Sequence, residues 1–266
     1  MKKFSVLLFV CIALFSTQPF AQKKYKKLKQ EEITYTSADG TTLKGFVAYP
    51  VSTQKLKTVI IVHEWWGSNE YVRMRARKLA ALGYFAFAVD MYGTGKTADN
   101  PKDAGALATP FYKDPQLAKS RIDAAVEKLK DYPTADANNA AAIGCCFGGS
   151  MVLNAAKMGM NFKGVVSFHG GLAGVPATTN GTKAKILVCH GAADKFISAE
   201  ELSGFRNNLD SVKANYAFIA YPDATHAFTN EGSTAVGLKY NIPIAYNKAA
   251  DQKSWKDMLA FFKEIF

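Results

Sequence analysis

The sequence predicts an α/β fold built on one doubly wound, mostly parallel sheet of about eight strands. Two continuous apolar runs, Thr58–Val62 and Tyr84–Val89, have the composition of strands that are covered on both faces. Further apolar strands alternate with amphipathic helices along the chain, which is the rhythm of parallel α/β sheets. An Asp-Gly turn at Asp39-Gly40 joins two earlier β-rich runs, Ile33–Ser37 and Leu43–Ala48, into an N-terminal antiparallel hairpin.

The other elements follow from local periodicity. Apolar residues recur every three or four positions in the predicted helices, and short β-rich runs separate those helices. The predicted helices are Tyr71–Leu82, Pro115–Tyr132, Gly148–Met158, Glu200–Val212 and Ala245–Phe262, and the further strands are Ala140–Gly144, Val165–Phe168, Ile186–Cys189 and Tyr216–Ala220. The segment Thr94–Pro115 contains Gly, Pro and Asp with weak periodicity, which predicts a mobile excursion that could hold a short helix.

Composition excludes several classes of protein. The chain has 266 residues, is 48% hydrophobic and contains only 4 Cys, so a disordered chain, a collagen-like repeat and a disulfide-stapled miniprotein are all excluded. The net charge is +11, but five lysines crowd residues 23–29, which indicates a solvated tail. No nucleic-acid-binding motif accompanies these lysines, so we expect no nucleic-acid partner.

Residues 1–21 have the layout of a secretory signal peptide. Lys2 and Lys3 precede an apolar run, and the segment ends at the small residue Ala21. The alternative is a retained membrane anchor, although the apolar run is short for a membrane span. We therefore expect an exported protein, periplasmic or secreted, with a single domain over residues 22–266 and no stable membrane span after cleavage.

The most specific motif in the sequence is that of a nucleophile elbow. The run Gly144-Cys145-Cys146-Phe147-Gly148 follows a predicted strand and opens a helix. A Gly-x-nucleophile-x-Gly turn in that context exposes its central residue, because the flanking glycines remove Cβ atoms from a crowded corner. The spacing selects Cys146 as the nucleophile and turns Cys145 into the packing. The alternative is a Gly-rich turn that carries two buried cysteines.

A thiol nucleophile needs a base and an acid that orients the base. Asp194 and His226 follow the next two strands in the order nucleophile, acid, histidine, and Asp223 is the rival acid in the loop of His226. The remaining histidines, His63, His169 and His190, fit loop packing better, and they lack the spacing of zinc ligands.

An acyl-transfer site also needs donors for the oxyanion. The Phe147 N–H, directly after the nucleophile, is one candidate. The Trp65 N–H, in the loop after the third strand, is the second.

These motifs together resemble the dienelactone hydrolase family of the α/β-hydrolase superfamily. The resemblance spans Thr41–Phe266, and the matching segments are Glu64–Gly67, Asp90–Gly93, Gly144–Gly149, His190–Asp194 and His226–Phe228. The resemblance implies an α/β-hydrolase fold, a Cys146–His226–Asp194 triad, and Glu64 facing the thiol. The resemblance also implies that the glutamate keeps the resting nucleophile as a protonated thiol. The alternative role for Glu64 is to cap the helix that starts near Asn69.

The sequence departs from the family's substrate-binding pattern. The family's namesake enzymes bind a substrate carboxylate through an Arg after the Asp-x-Tyr segment and a Ser beside the catalytic His. Here no Arg follows Tyr92, Ala227 follows His226, and Lys96 supplies a charge without a bidentate fork. Four aromatic residues predict an apolar wall near the nucleophile that suits a neutral ester: Trp65, Trp66, Tyr92 and Phe228.

Three functional hypotheses follow. The first is an exported carboxylic ester hydrolase that acts on a small ester or lactone without a metal or organic cofactor, as a monomer or homodimer. The second is a non-catalytic ligand-binding protein on the same scaffold. The third is a thiol redox protein that uses Cys145-Cys146, which the missing Cys-x-x-Cys spacing disfavours.

Overall fold

Eight strands form one sheet in the computed structural model, which describes residues 27–266. The strands are β1 (Leu28–Thr36), β2 (Thr42–Pro50), β3 (Leu56–Val62), β4 (Phe85–Val89), β5 (Ala135–Cys145), β6 (Gly164–Phe168), β7 (Lys185–Gly191) and β8 (Tyr216–Tyr221). Their spatial order is β1-β2-β4-β3-β5-β6-β7-β8. Strand β2 pairs antiparallel with β1 and with β4, and every other pair in the sheet is parallel. The predicted fold class and the N-terminal hairpin are confirmed, whereas the predicted signal segment lies outside the described residues.

Seven α-helices accompany the sheet within residues 27–266. They are α1 (Glu70–Ala80), α2 (Pro101–Lys113), α3 (Pro115–Lys128), α4 (Phe147–Lys157), α5 (Ala199–Ser211), α6 (Ser233–Tyr240) and α7 (Lys248–Ile265), and a 3-10 turn over Leu129–Asp131 follows α3. Among these helices, none combines the length and hydropathy that crossing a membrane requires.

Helix α2 is longer than the sequence predicted. The region expected to be a mobile excursion holds 13 helical residues. The Asn100 side chain caps the helix by accepting the Asp103 N–H at 3.0 Å, and Pro101 occupies the first turn, where its missing N–H costs nothing. Pro110 lies inside the helix and masks the helical pattern in the sequence.

The helices cover both faces of the sheet and build two apolar cores. On β3, Ile60 and Val62 belong to the core that includes Met151 of α4, while alternate residues such as Val59 belong to the core that includes Leu79 of α1. This alternation is the two-residue period of a strand, and both faces are apolar because both are covered. The carboxyl ends of the parallel strands therefore remain as the edge where loops can build a site.

Candidate active site

The turn between β5 and α4 has the geometry of a nucleophile elbow. Cys146 has φ 52° and ψ −118°, a conformation that non-glycine residues rarely adopt. A Cβ at Gly144 would lie 2.1 Å from the Gly148 carbonyl carbon, and a Cβ at Gly148 would lie 2.2 Å from the Val62 carbonyl oxygen. Both positions therefore require glycine. Cys146 is half-buried and lines a cavity, whereas Cys145 is buried beneath the turn.

His226 and Asp194 form a hydrogen-bonded pair beside this cavity. The Asp194 Oδ2 lies 2.8 Å from His226 Nδ1, and the Asp194 Oδ1 accepts the Phe196 N–H at 2.9 Å. The Phe196 ring contacts the His226 imidazole edge to face, with centroids 5.0 Å apart, and the His169 ring does so from another side at 5.3 Å. These contacts fix the plane of the His226 ring.

The electrostatics of His226 favour its protonated form when Cys146 is ionised. Burial lowers the pKa of His226, but the negative charge of an ionised Cys146 and the hydrogen bond to the Asp194 carboxylate outweigh burial and raise that pKa to about 10 once the thiol has lost its proton. The imidazole can therefore stay protonated while the neighbouring Cys146 sulfur and Asp194 carboxylate carry negative charge. This arrangement suits a thiolate–imidazolium pair.

Glu64 lines the same cavity and is only 2% exposed. Burial raises the pKa of its carboxyl group to about 6, although a hydrogen bond from Asn230 Nδ2 to Oε2, 2.7 Å long, opposes that rise. Asn69 caps α1 through its own side chain, which accepts the Tyr71 N–H at 3.1 Å. Glu64 is therefore not the cap of that helix, and its buried carboxyl group belongs to the cavity.

The two predicted oxyanion donors lie at the ends of neighbouring strands. The Phe147 N–H begins α4, and the Trp65 N–H lies in the loop after β3; neither finds an acceptor among residues 27–266. Tyr92 donates its hydroxyl to the Trp65 carbonyl oxygen at 3.1 Å, which holds that loop in place. Both amides are free to bind a ligand oxygen.

A buried polar network, which the sequence did not predict, supports the elbow from behind. The Cys146 N–H donates to the Phe168 carbonyl oxygen at 3.0 Å and also to Nδ1 of His169 at 3.1 Å. The Nε2 atom of His169 lies 2.7 Å from Thr229 Oγ1. Thr229 Oγ1 lies 2.7 Å from the Tyr71 hydroxyl, and Arg75 donates to the Thr229 carbonyl oxygen at 2.6 Å. Because Nδ1 is an acceptor, the imidazole of His169 is neutral, and burial accordingly lowers its pKa well below the usual value.

The other two histidines take separate positions. His63 donates from Nδ1 to the Glu64 carbonyl oxygen at 2.6 Å and accepts the Met91 N–H at Nε2, so it ties the loops after β3 and β4 together. His190 packs its ring against Phe218. Within the described part of the chain, no three His, Cys, Asp or Glu side chains are grouped as metal ligands.

The cavity that Cys146 lines has a volume of about 360 Å³. Four of its lining residues belong to the candidate site: Glu64, Trp65, Cys146 and His226. The rest of the lining comes from Trp66 and α2, from the loop after β6, from the loop after β7 and the start of α5, and from the chain between the His226 loop and Ile244. These other lining residues are Trp66, Gly105, Ala108, Thr109, Tyr112, Gly171, Phe196, Ile197, Glu201, Ala227, Asn230, Ser233, Val236 and Ile244. The lining is mostly apolar, its carboxylates are Glu64 and Glu201, and no described Lys or Arg contributes to it.

A model of the dienelactone hydrolase family matches residues 43–266. The chain belongs to the dienelactone hydrolase family. Membership in this family supports the assignment of the chain as a hydrolase of the carboxylic ester type with an α/β-hydrolase fold.

Relatives and solved structures agree with this membership. Protein usf of Aquifex pyrophilus is 28% identical over 231 residues, which is 85% of this chain and 95% of the relative. A protein of Aquifex aeolicus, provisionally named a carboxymethylenebutenolidase, is 26% identical and covers 85% of this chain and 94% of its own length. The crystal structure of a dienelactone hydrolase-like promiscuous phosphotriesterase from metagenomic libraries aligns with a TM-score of 0.83 and 28% identity, over 90% of this chain and 99% of that one.

Three residues predicted to bind substrate lie outside the cavity lining of this family member. Tyr92 supports the Trp65 loop from below, and Phe228 is fully buried against the rings of His169 and Tyr221. Lys96 is exposed on the loop beyond Gly93. Of the predicted aromatic wall, Trp65 and Trp66 line the cavity, and α2 adds Tyr112, which the sequence analysis did not single out.

Proposed function

We propose that this chain is an exported hydrolase that cleaves small, uncharged esters or lactones through a thioester on Cys146. One observation carries the proposal most directly. A cysteine on a positive-φ elbow shares a cavity with a histidine whose other ring nitrogen pairs with Asp194. Nucleophile, base and orienting acid in this arrangement support acyl transfer.

In the proposed first half-reaction, the Cys146 sulfur attacks the ester carbonyl carbon, and the thiol proton is held on Nε2 of His226. The carbonyl π electrons move to the oxygen, which the Phe147 and Trp65 N–H groups stabilise. The tetrahedral intermediate then collapses as the C–O bond breaks, and His226 returns its proton to the leaving alkoxide. The product is an alcohol and a thioester on Cys146.

Water completes the cycle in the proposed second half-reaction. His226 removes a proton from the water as its oxygen attacks the thioester carbonyl, and the same two amides hold the new oxyanion. Collapse expels the Cys146 thiolate, which recovers its proton from His226. The balance is one ester and one water consumed, one acid and one alcohol released, and no metal or organic cofactor takes part.

The family resemblance assigns Glu64 a regulating role in the resting enzyme. A buried carboxylate near Cys146 disfavours a second negative charge, so the resting thiol stays protonated and resists oxidation. A pKa of about 6 leaves Glu64 largely ionised at neutral pH. The position of Glu64 in the cavity that contains Cys146 supports this role.

Charge and shape support an uncharged substrate. The cavity holds two carboxylates, Glu64 and Glu201, and its lining within residues 27–266 includes no Lys or Arg to pair with a substrate carboxylate. Burying an unpaired carboxylate in an apolar site is costly, so a carboxylated lactone should bind poorly.

The proposal of export is supported by the N-terminal segment alone. Cell fractionation of a natural host tests it.

A panel of activated esters tests the proposal. Small p-nitrophenyl esters, lactones and acetylated sugars are assayed with the wild type, with Cys146→Ala, and with Cys145→Ala as the matched control. We expect hydrolysis of uncharged esters by the wild type and by Cys145→Ala, and none by Cys146→Ala. Ligand binding without turnover on any ester would instead favour the binding-protein hypothesis.

A further inference from the structure

The Phe196 side chain is an aromatic ring that lines the active-site cavity and remains half exposed. Four large apolar side chains within residues 27–266 are about half exposed or more, and they are Val51, Tyr112, Phe196 and Leu238. Of these four, Tyr112 and Phe196 line the cavity. Phe196 is 50% exposed, so a ligand in the cavity can contact its ring.

Phe196 is held beside the proposed catalytic base by two contacts. Its N–H donates to Asp194 Oδ1 at 2.9 Å, and its ring meets the His226 imidazole edge to face, with centroids 5.0 Å apart. The Nδ1 atom of His226 is paired with Asp194, so Nε2 is the nitrogen that exchanges protons with reacting groups. His226 and Phe196 line the same cavity. A group that binds close to Nε2 therefore lies within reach of the Phe196 ring.

The direction of proton transfer decides which part of an ester lies there. In the proposed first half-reaction, His226 returns its proton to the leaving alkoxide, so the leaving oxygen must come within hydrogen-bond distance of Nε2. The alcohol part of the ester begins at that oxygen, whereas the acyl part stays on the Cys146 sulfur. The other half-exposed ring of the lining, Tyr112, packs instead against Phe147, the residue after the nucleophile, with centroids 5.7 Å apart. The exposed ring beside the alcohol part is thus Phe196.

The chemistry of this surface favours an apolar, aromatic group. Covering the exposed part of the Phe196 ring with another apolar group removes both surfaces from water. Two aromatic rings add a favourable offset-stacked or edge-to-face contact. Ile197, next in the chain, also lines the cavity and extends the apolar surface.

We infer that Phe196 is a specificity-determining residue that contacts the alcohol part of the ester and favours esters of aromatic alcohols. This inference rests on the proposed function and names the substrate class of that site. The contact between two rings, together with the apolar surface that it covers, corresponds to about tenfold in kcat/KM.

The experiment uses two isomeric esters that carry a phenyl ring on opposite sides of the ester bond. Benzyl acetate has the ring in its alcohol part, methyl phenylacetate has it in its acyl part, and methyl acetate is the reference without a ring. The enzymes are the wild type, Phe196→Ala, Phe196→Tyr and Val51→Ala. Val51 is the matched control because it is 51% exposed and does not line the cavity.

We expect Phe196→Ala to lower kcat/KM for benzyl acetate, relative to methyl acetate, by about tenfold. The same variant should leave the ratio of methyl phenylacetate to methyl acetate unchanged. Phe196→Tyr keeps the ring and should retain both wild-type ratios, as should Val51→Ala. Unchanged ratios in Phe196→Ala would overturn the inference, and so would a fall of similar size for methyl phenylacetate. An equal fall for all three esters would also overturn it, because Phe196 would then only orient His226.

A binding measurement separates this inference from the proposed function. Benzyl acetate and methyl phenylacetate are titrated into Cys146→Ala and into Cys146→Ala with Phe196→Ala, and NMR chemical shifts report the binding. If the wild type hydrolyses none of the three esters, the proposed function fails, and tighter binding of benzyl acetate that depends on Phe196 still supports the inference. Equal binding of both isomers by Cys146→Ala overturns the inference even if esterase activity is confirmed.

Discussion

Replacing Glu64 with Gln should stabilise the fold at alkaline pH. The carboxyl group is 2% exposed, and burial raises its pKa from the ordinary 4.5 to about 6. The folded state therefore binds a proton more tightly than the unfolded state does. Glutamine keeps the size of the side chain and an oxygen that can accept the Asn230 Nδ2 hydrogen bond.

The pKa difference sets the size and the pH dependence of the effect. Well below pH 4.5, Glu64 is protonated in both the folded and the unfolded state and does not reduce the free energy of unfolding. The full reduction is reached once the pH is above the pKa of the folded state. That full reduction is about 2 kcal/mol, and it is less than half as large at pH 5. For a domain of this size, about 2 kcal/mol corresponds to a rise of roughly 4–8 °C in melting temperature.

The assay is denaturant unfolding of the wild type and Glu64→Gln at pH 8 and pH 5. Glu127→Gln is the matched control, because Glu127 is exposed and should change stability by less than about 0.5 kcal/mol. The reasoning fails if Glu64→Gln is no more stable than the wild type at pH 8, or if its advantage is the same at both pH values.

Three further predictions concern residues in the candidate active site and in the network that supports it. Asp194→Asn should lower kcat on the order of a thousandfold, measured in steady state, because an amide that donates to the imidazole selects the wrong tautomer. Thr229→Val should lower kcat about tenfold with little change in KM, since His169 loses its partner, and Thr229→Ser should restore the rate. Glu64→Gln should accelerate alkylation of Cys146 by iodoacetamide severalfold in the absence of substrate; an unchanged rate would contradict the regulating role.

The sheet was predictable because its central strands are apolar on both faces. Thr58–Val62 and Tyr84–Val89 allow few alternatives to buried parallel strands, and the observed β3 and β4 lie there. Strand β1 begins at Leu28, earlier than predicted, because its exposed residues such as Gln30 and Glu31 give no apolar signal. Backbone pairing with β2 alone defines that extension.

Two helices were hidden by weak local signals. Helix α2 contains Gly105 and Pro110 and buries only three side chains, so neither propensity nor periodicity predicted its length. Helix α6 has eight residues and buries only Ser233 and Gly237. Both helices are held by tertiary contacts around the cavity, and tertiary contacts cannot be read from local sequence.

The candidate site was predictable as far as its residues follow strand ends. Cys146, Asp194 and His226 each follow a parallel strand, and the structure places Cys146 and His226 in one cavity, with Asp194 hydrogen-bonded to His226. The support of the elbow by His169 was not predictable, because its partner Thr229 lies 60 residues away along the chain. The φ of 41° at His169 likewise depends on the tertiary fold, and no local sequence pattern predicts it.

Detection of an acyl group on Cys146 tests the central claim most directly. Wild-type enzyme is mixed with a p-nitrophenyl ester, quenched in acid within milliseconds, digested and analysed by mass spectrometry, with Cys145→Ala used to separate the adjacent thiols. We predict an acyl adduct on Cys146 that forms and decays fast enough to account for kcat and is absent from Cys146→Ala. Turnover without that adduct, or wild-type turnover by Cys146→Ala, would contradict the account.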